Sequence, residues 1–190
     1  IAGATSSGKT TLVNALLAEI AATGDRVLVL EDTVELQCAA RDHVPLRTRR
    51  GVVSMQELVR SSMRLRPDRV VVGEVRGAEA LDLIKVWGTG HPGGIATIHA
   101  GSALGALLRL EQLILEVAVN PPRALIAEAV NVVIYIAGRG RRRRIENIAR
   151  LNGFDGAGYR LADALETPFP EPPSQSDFSS PSLNHPGELS

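Results

Sequence analysis

The sequence is short of several things, and each shortage removes a class of protein. A single cysteine, Cys38, among 190 residues rules out an intrachain disulfide and any cysteine-rich zinc site, and it fits a reducing compartment. No apolar run approaches the roughly 18 residues of a membrane span, and no signal peptide is visible, so the cytosol is the default expectation. Charge of one sign is also missing: 21 basic side chains meet 21 acidic ones. Bulk electrostatics therefore point neither to nucleic acid nor to a membrane surface. There is no internal repeat and no initiating Met. Only Ile1 and Ala2 remain of the strand that the next segment needs as its anchor, so the sequence reads as truncated at its N-terminus.

What is present begins at once. Gly3-Ala4-Thr5-Ser6-Ser7-Gly8-Lys9-Thr10 fits G-x-x-x-x-G-K-[ST], a nucleotide-phosphate loop that leaves a strand and opens a helix, and Thr11 continues it. Small residues let successive backbone N–H groups turn inward around phosphate oxygens. Lys9 adds a charge within reach of the β- and γ-phosphates, and the Thr10 hydroxyl is suited to ligate Mg²⁺. Val13, Leu16, Leu17 and Ile20 recur at helical spacing behind the loop, with Gly24 at the C-cap position. The alternative, a surface Gly/Ser turn, does not explain that helix. A nucleotide-binding protein is the reading.

With hydrophobic residues at 44%, the chain can build a sizeable core, and its length suits one α/β domain with a small appendage. Arg26–Leu30 and Arg69–Gly73 are short runs, apolar after their leading arginine, the signature of strands buried on both faces of a parallel sheet. Glu31, Asp32 and Glu35 follow the first, at the sheet edge where open α/β folds collect ligands. Spacing alone leaves them equally well read as a solvated acidic turn or as groups that hold Mg²⁺ or orient water. Val44–Thr48 fits a strand, and Arg47, Arg49 and Arg50 read first as a solvated basic edge. Ser54-Met-Gln-Glu57 is a capping box ahead of an apolar helical face stopped by Pro67.

Glu74 comes directly after the second buried strand, as the acid of a Walker B element does. Gly73 stands where an Asp is usual, which leaves one acid there to act as base towards water. Residues 78–87 read as a helix and Gly94–His99 as a third core strand, flanked by His91 and His99. Two histidines are too few for zinc and are more often structural; one at the end of a core strand beside phosphate could sense the γ-phosphate. Ser102 caps a long apolar helix to about Val117, which must lie deep in the core or meet another subunit. A second helix to about Asn131 and a strand Val132–Ile136 follow. Gly138–Arg144 is a basic turn, read as a solvated tip because no aromatic residue interleaves with it. Ile145–Leu151 reads as a returning strand, although the spacing of three between Ile145, Ile148 and Leu151 fits a strand poorly. Six of eleven prolines fall between Pro168 and Pro186, the composition of a disordered tail.

Four segments together resemble the secretion-motor ATPases of type II and type IV systems: Gly3–Thr11, Glu31–Glu35, Arg66–Gly77 and Thr89–Ala100, in that order. His-Pro-Gly-Gly-Ile-Ala-Thr-Ile-His-Ala and Arg-Leu-Glu-Gln-Leu-Ile look closest to the Trb-type conjugal-transfer branch, and the absence of a tetracysteine module favours the type IV side. The resemblance implies a RecA-like P-loop domain over residues 1–165, with its preceding domain missing and residues 166–190 as the tail. It implies a homo-hexameric ring peripheral to the cytoplasmic face of the inner membrane, working with secretion or conjugation apparatus proteins and without sequence-specific nucleic-acid binding. It further implies ATP and Mg²⁺ as ligands, held by residues 3–11 with Thr10 on the metal and Glu31 or Glu74 reaching it through water. Glu74 would be the catalytic glutamate, Glu31 would position water or metal, and His99 would couple the γ-phosphate to movement. Family members also use arginines from a neighbouring subunit or from an N-terminal domain, and Arg47 and Arg49 are candidates for them, not assignments.

Overall fold

A computed structural model of the protein describes residues 1–91 and 93–166. The fold is α/β of the RecA-like P-loop type, built on a mostly parallel sheet with helices on both faces. β1 (Ala2–Gly3) passes through the loop into α1 (Lys9–Ile20), and β2 (Val27–Glu31), β3 (His43–Arg47), α2 (Met55–Ser62), β4 (Arg69–Val72), α3 (Glu79–Gly88) and β5 (Ile95–Ala96) follow. The second half adds α4 (Ala103–Ile114), α5 (Arg123–Ala129), β6 (Val132–Ala137), β7 (Arg144–Phe154) and β8 (Tyr159–Asp163).

Strands β3-β2-β4-β5 pair in parallel, and β1-β6-β7-β8 form a second set in which only β1 and β6 are parallel. Ile98 joins the sets. Its N–H donates to the Ile1 carbonyl at 2.9 Å, and its own carbonyl accepts the Gly3 N–H at 3.3 Å. β1 and the phosphate loop therefore lie between the chain leaving β5 and the end of β6.

Alternation along the central strands explains their continuous apolar spelling. Leu28, Leu30, Val70 and Val72 face one core with α2 to α5, whereas Val27, Val29 and Val71 face another with Val13, Leu17 and Ile20 of α1. A strand covered on both faces has no polar side to show in its sequence. Fully buried Leu107, Leu113 and Ile114 fix α4 to the sheet, each contributing about 2 kcal/mol by removal from water. The outer residues Leu104 and Leu108 remain about half exposed. Ser102 caps this helix by accepting the Gly105 N–H at 2.9 Å. The capping box of α2 is complete: Ser54 Oγ accepts the Glu57 N–H at 3.2 Å, and Glu57 accepts the Ser54 N–H at 2.7 Å.

Two sequence expectations change, and the returning strand is longer than expected. The third core strand is much shorter than Gly94–His99, because after Ala96 the chain exchanges β4 for β1 as its partner, with Ile98 bridging to Ala2. α4 stops at Ile114, and Leu115, Val117 and Val119 are exposed beyond it. Ile145–Leu151 lies within β7, the longest strand among the described residues, and pairs with a β8 that the sequence did not reveal. A register shift between Tyr135 and Ile136 sets Ile145 opposite Ile136 but Asn147 opposite Tyr135. That irregularity breaks the period-two pattern. Beyond it, Ala149 and Leu151 alternate inward as a strand requires. The proposed tail lies, apart from Glu166, outside the described residues.

Candidate active site

The phosphate loop folds as its spelling demands. Gly8 sits in the left-handed region at φ 100°, which glycine adopts without strain. It precedes the first residue of α1 and offers no side-chain cap, so the N–H groups of the first helical turn are left for an anion. Gly3 has no room for a larger residue: a Cβ there would lie 2.5 Å from Ser7 Oγ and 2.7 Å from the Ile136 carbonyl. Ser7 Oγ itself is buried without a hydrogen-bond partner among the described residues. The cradle is preformed.

Lys9 is buried at the base of this loop. Its ammonium donates to the carbonyls of Gly3 and Ala4, both at 3.0 Å, and faces His99 Nδ1 at 3.4 Å. Burial pulls the Lys9 pKa below its ordinary value; Glu74 partly offsets the shift and Arg76 adds to it. An ammonium has only donors to offer, so His99 Nδ1 is the acceptor in that contact. Nε2 is in contact with Glu74 Oε1. The other Glu74 oxygen accepts from Arg76 Nε at 2.7 Å and also pairs with Arg76 Nη2. Arg76 reaches Asp32 at 3.7 Å as well, and its hydrogen bond to Glu74 raises its pKa further. Lys9, His99 and Glu74 thus form one chain of contacts across residues 90 and 25 positions apart, closed by Arg76.

The carboxylates after β2 divide their work. Glu31 is buried, and its Oε1 accepts the backbone N–H groups of Glu35 at 3.0 Å and Leu36 at 2.8 Å. Its stem fills the space beside Gly73, where an added Cβ would lie 3.3 Å from Glu31 Cγ. The acid absent from position 73 has its volume taken by an acid from the neighbouring strand. Glu35 accepts from the Thr10 hydroxyl at 3.2 Å, and Asp32 accepts from Thr48 at 2.7 Å.

A cavity of about 480 Å³ is bounded by Thr5–Thr11, Glu31, Asp32, Glu35, Glu74, Arg76, His99 and Arg143. No group of three His, Cys, Asp or Glu side chains among the described residues converges as a metal cage. A Thr10 hydroxyl with nearby carboxylates suits Mg²⁺ instead, which keeps waters and phosphate oxygens in its shell. A second cavity of about 280 Å³, lined by Leu16, Trp87, Leu110 and Val133, presents no charged side chain and carries no such chemistry.

His91, Arg47 and Arg49 are not part of this site. His91 Nδ1 is 2.8 Å from the Pro67 carbonyl, Arg47 ends the edge strand β3, and Arg49 bridges to Val53. None of them lines the cavity. Sequence reasoning overlooked Arg76 and Arg143. Arg76 had a local signal, two positions after Glu74; Arg143 was one arginine in a run and had none.

A family model described as type II/IV secretion system protein matches residues 1–139. The chain belongs to the type II/IV secretion system protein family. It is 49% identical over 162 residues to the conjugal transfer protein TrbB of Rhizobium radiobacter, a match covering 84% of this chain and 50% of that protein. The probable conjugal transfer protein TrbB of Sinorhizobium fredii is 50% identical over 163 residues, covering 85% and 50%. Among solved structures, the VirB11 ATPase of the Brucella suis type IV secretion system, in complex with sulphate, superposes with a TM-score of 0.70 at 34% identity. That match covers 78% of this chain and 48% of the VirB11 chain. The chain spans about half the length of these relatives.

Proposed function

We propose that this chain is the ATP-hydrolysing part of a motor subunit of a conjugative transfer or type IV secretion system. The contact chain Lys9–His99–Glu74 carries the reading, because it ties the phosphate-binding lysine to a carboxylate base. The family and the similarity to TrbB and VirB11 support it. The subunit works as a homo-hexamer, peripheral to the cytoplasmic face of the inner membrane and docked on the secretion apparatus.

Residues Gly3–Thr11 hold the polyphosphate of ATP by backbone N–H groups, and Lys9 neutralises the β- and γ-phosphates. The Thr10 hydroxyl, with Glu31 or Glu74 through water, would hold Mg²⁺, which when bound would supply charge stabilisation to the phosphates. Glu74 takes a proton from the attacking water as the water oxygen bonds to the γ-phosphorus and the bond to the bridging oxygen breaks. Glu31 holds the Glu35–Leu36 turn in place and so sets the acidic wall of the cavity. His99 touches both Lys9 and Glu74, so a shift of Lys9 towards phosphate alters the contact that orients the base.

The test is Mg-ATP hydrolysis against protein concentration, with Glu74→Gln as the control. Specific activity should rise with concentration as subunits assemble. Glu74→Gln should lose turnover by about 10²- to 10⁴-fold while still binding ATP. Wild-type turnover in Glu74→Gln would remove Glu74 from the role of base. Absence of ATP binding by the unaltered chain would defeat the reading.

A further inference from the structure

Five arginines follow Gly138, at positions 139 and 141 to 144, in the connection between β6 and β7. One of them is treated differently by the fold. Gly138 has φ +78°, and a Cβ there would strike the Arg142 carbonyl at 2.2 Å. The turn is therefore tight, and the residues Gly140–Arg142 complete it as a 3₁₀ turn. Arg143 leaves that turn with its Nε donating to the Gly140 carbonyl at 3.2 Å, which fixes the root of the guanidinium. The rest of the group lies over the phosphate loop: a Cβ on Gly8 would sit 3.1 Å from both Cδ and Nη1 of Arg143.

Arg143 is the one member of the run that lines the cavity. Arg144 next to it is paired with Glu146 at 2.7 Å, and Arg76 across the cavity is paired with Glu74. Arg143 has no carboxylate partner among the described residues. A guanidinium held beside a loop of inward N–H groups, with its own charge unneutralised, is built to meet an anion. The sheet order gives it a separate approach. The loop follows β1, which has the chain after β5, carrying His99, on one side and β6, leading to Arg143, on the other.

We propose that Arg143 is a phosphate clasp supplied by the same subunit, closing on the polyphosphate chain of a nucleoside di- or triphosphate from the β6–β7 side. The inference rests on the reading of the cavity as a nucleotide site and adds a binding residue to it. Because the clasp acts on charge, it serves ATP, ADP and bare polyphosphate alike, and it makes binding more sensitive to salt.

Equilibrium binding of ATP, ADP and inorganic tripolyphosphate to the full chain and its variants tests this. Arg143→Ala should weaken all three by about tenfold, the value of one charge-assisted hydrogen bond. Arg143→Lys should keep part of the affinity, and Arg142→Ala should keep all of it. Unchanged thermal unfolding without nucleotide would show that Arg143→Ala still folds. Wild-type affinity in Arg143→Ala would overturn the clasp while leaving the nucleotide site standing. Weaker ATP and ADP binding with tripolyphosphate unaffected would also overturn it, by assigning the arginine to base or ribose. An equal loss in Arg142→Ala would overturn it by making the effect one of bulk charge. Failure of the unaltered chain to bind any of the three would refute the nucleotide site itself, and the clasp with it.

Discussion

Two clusters in this molecule have the same ingredients and different surroundings. At the phosphate loop, Glu74 meets Arg76 and the ring of His99. Beneath the β7–β8 hairpin, Glu111 meets Arg123 at 2.9 Å, and the buried Tyr159 hydroxyl lies beside it without a well-aligned hydrogen bond. The carboxylates are similarly covered, with side-chain exposures of 16% and 9%, and the arginines are 65% and 49% exposed. Burial therefore does not tell them apart. What differs is the next layer. Arg123 lies 5.7 Å from the Phe154 ring, which packs edge-on against Tyr159, so every partner of Glu111 is held by aromatic packing. Glu74, Arg76 and His99 instead border an open cavity beside a cationic loop, where a ligand can exchange for any of them. A covered acid with an arginine partner is a brace when packed aromatic rings hold its partners and a candidate site when those partners border an open cavity.

The contrast can be broken by substitution. After the loss of turnover expected for Glu74→Gln, the largest effect should come from Lys9→Ala. It should weaken ATP binding by about 10- to 100-fold, since it removes a buried charge from the phosphate cradle; nucleotide titration with unchanged affinity would show that Lys9 is only a brace between the Gly3 and Ala4 carbonyls. His99→Ala should bind ATP almost normally and lower turnover by about tenfold, as the side chain that links Lys9 to Glu74 is lost. Its conjugative transfer should fall further than its hydrolysis, and normal transfer in cells would argue against coupling through His99.

The sealed cluster should answer in stability and not in nucleotide binding. Glu111→Ala should cost about 1–3 kcal/mol in urea unfolding and leave ATP affinity unchanged. Burial alone would raise the Glu111 pKa, but contacts with Arg123 and Tyr159 outweigh it and hold the carboxyl below its ordinary 4.5. A carboxyl depressed in the folded state contributes its stability above the unfolded value and loses it as pH falls through the folded one. Stability should thus decline below about pH 4.5, and Glu111→Gln should flatten that decline. An unchanged acid limb would assign the decline to other carboxylates.

Much of the architecture was legible because the signals were local. The loop Gly3–Thr10, the capping box Ser54–Glu57 and the apolar runs of β2 and β4 each spell their structure within ten residues. The failures were non-local. β7 was obscured because a register shift against β6 breaks its alternation, and no local pattern compensates. Glu31 shows another kind of limit. Its place at the end of β2 was readable, but not that one of its oxygens would be occupied by the Glu35 and Leu36 N–H groups.

By itself the sequence determined the chemical inventory: a phosphate loop, an acid at the end of a buried strand, a histidine box, and the order of all three along the chain. Those are contiguous patterns, dictated by backbone conformation and by burial on both faces of a sheet. Only the tertiary structure decided which members meet. It brought His99 between Lys9 and Glu74, closed Arg76 on Glu74, and turned Arg143 alone of five arginines towards Gly8. Such choices depend on strand order, on the tight turn at Gly138 and on charges that pair across the sheet. Spacing along the chain carries no record of them.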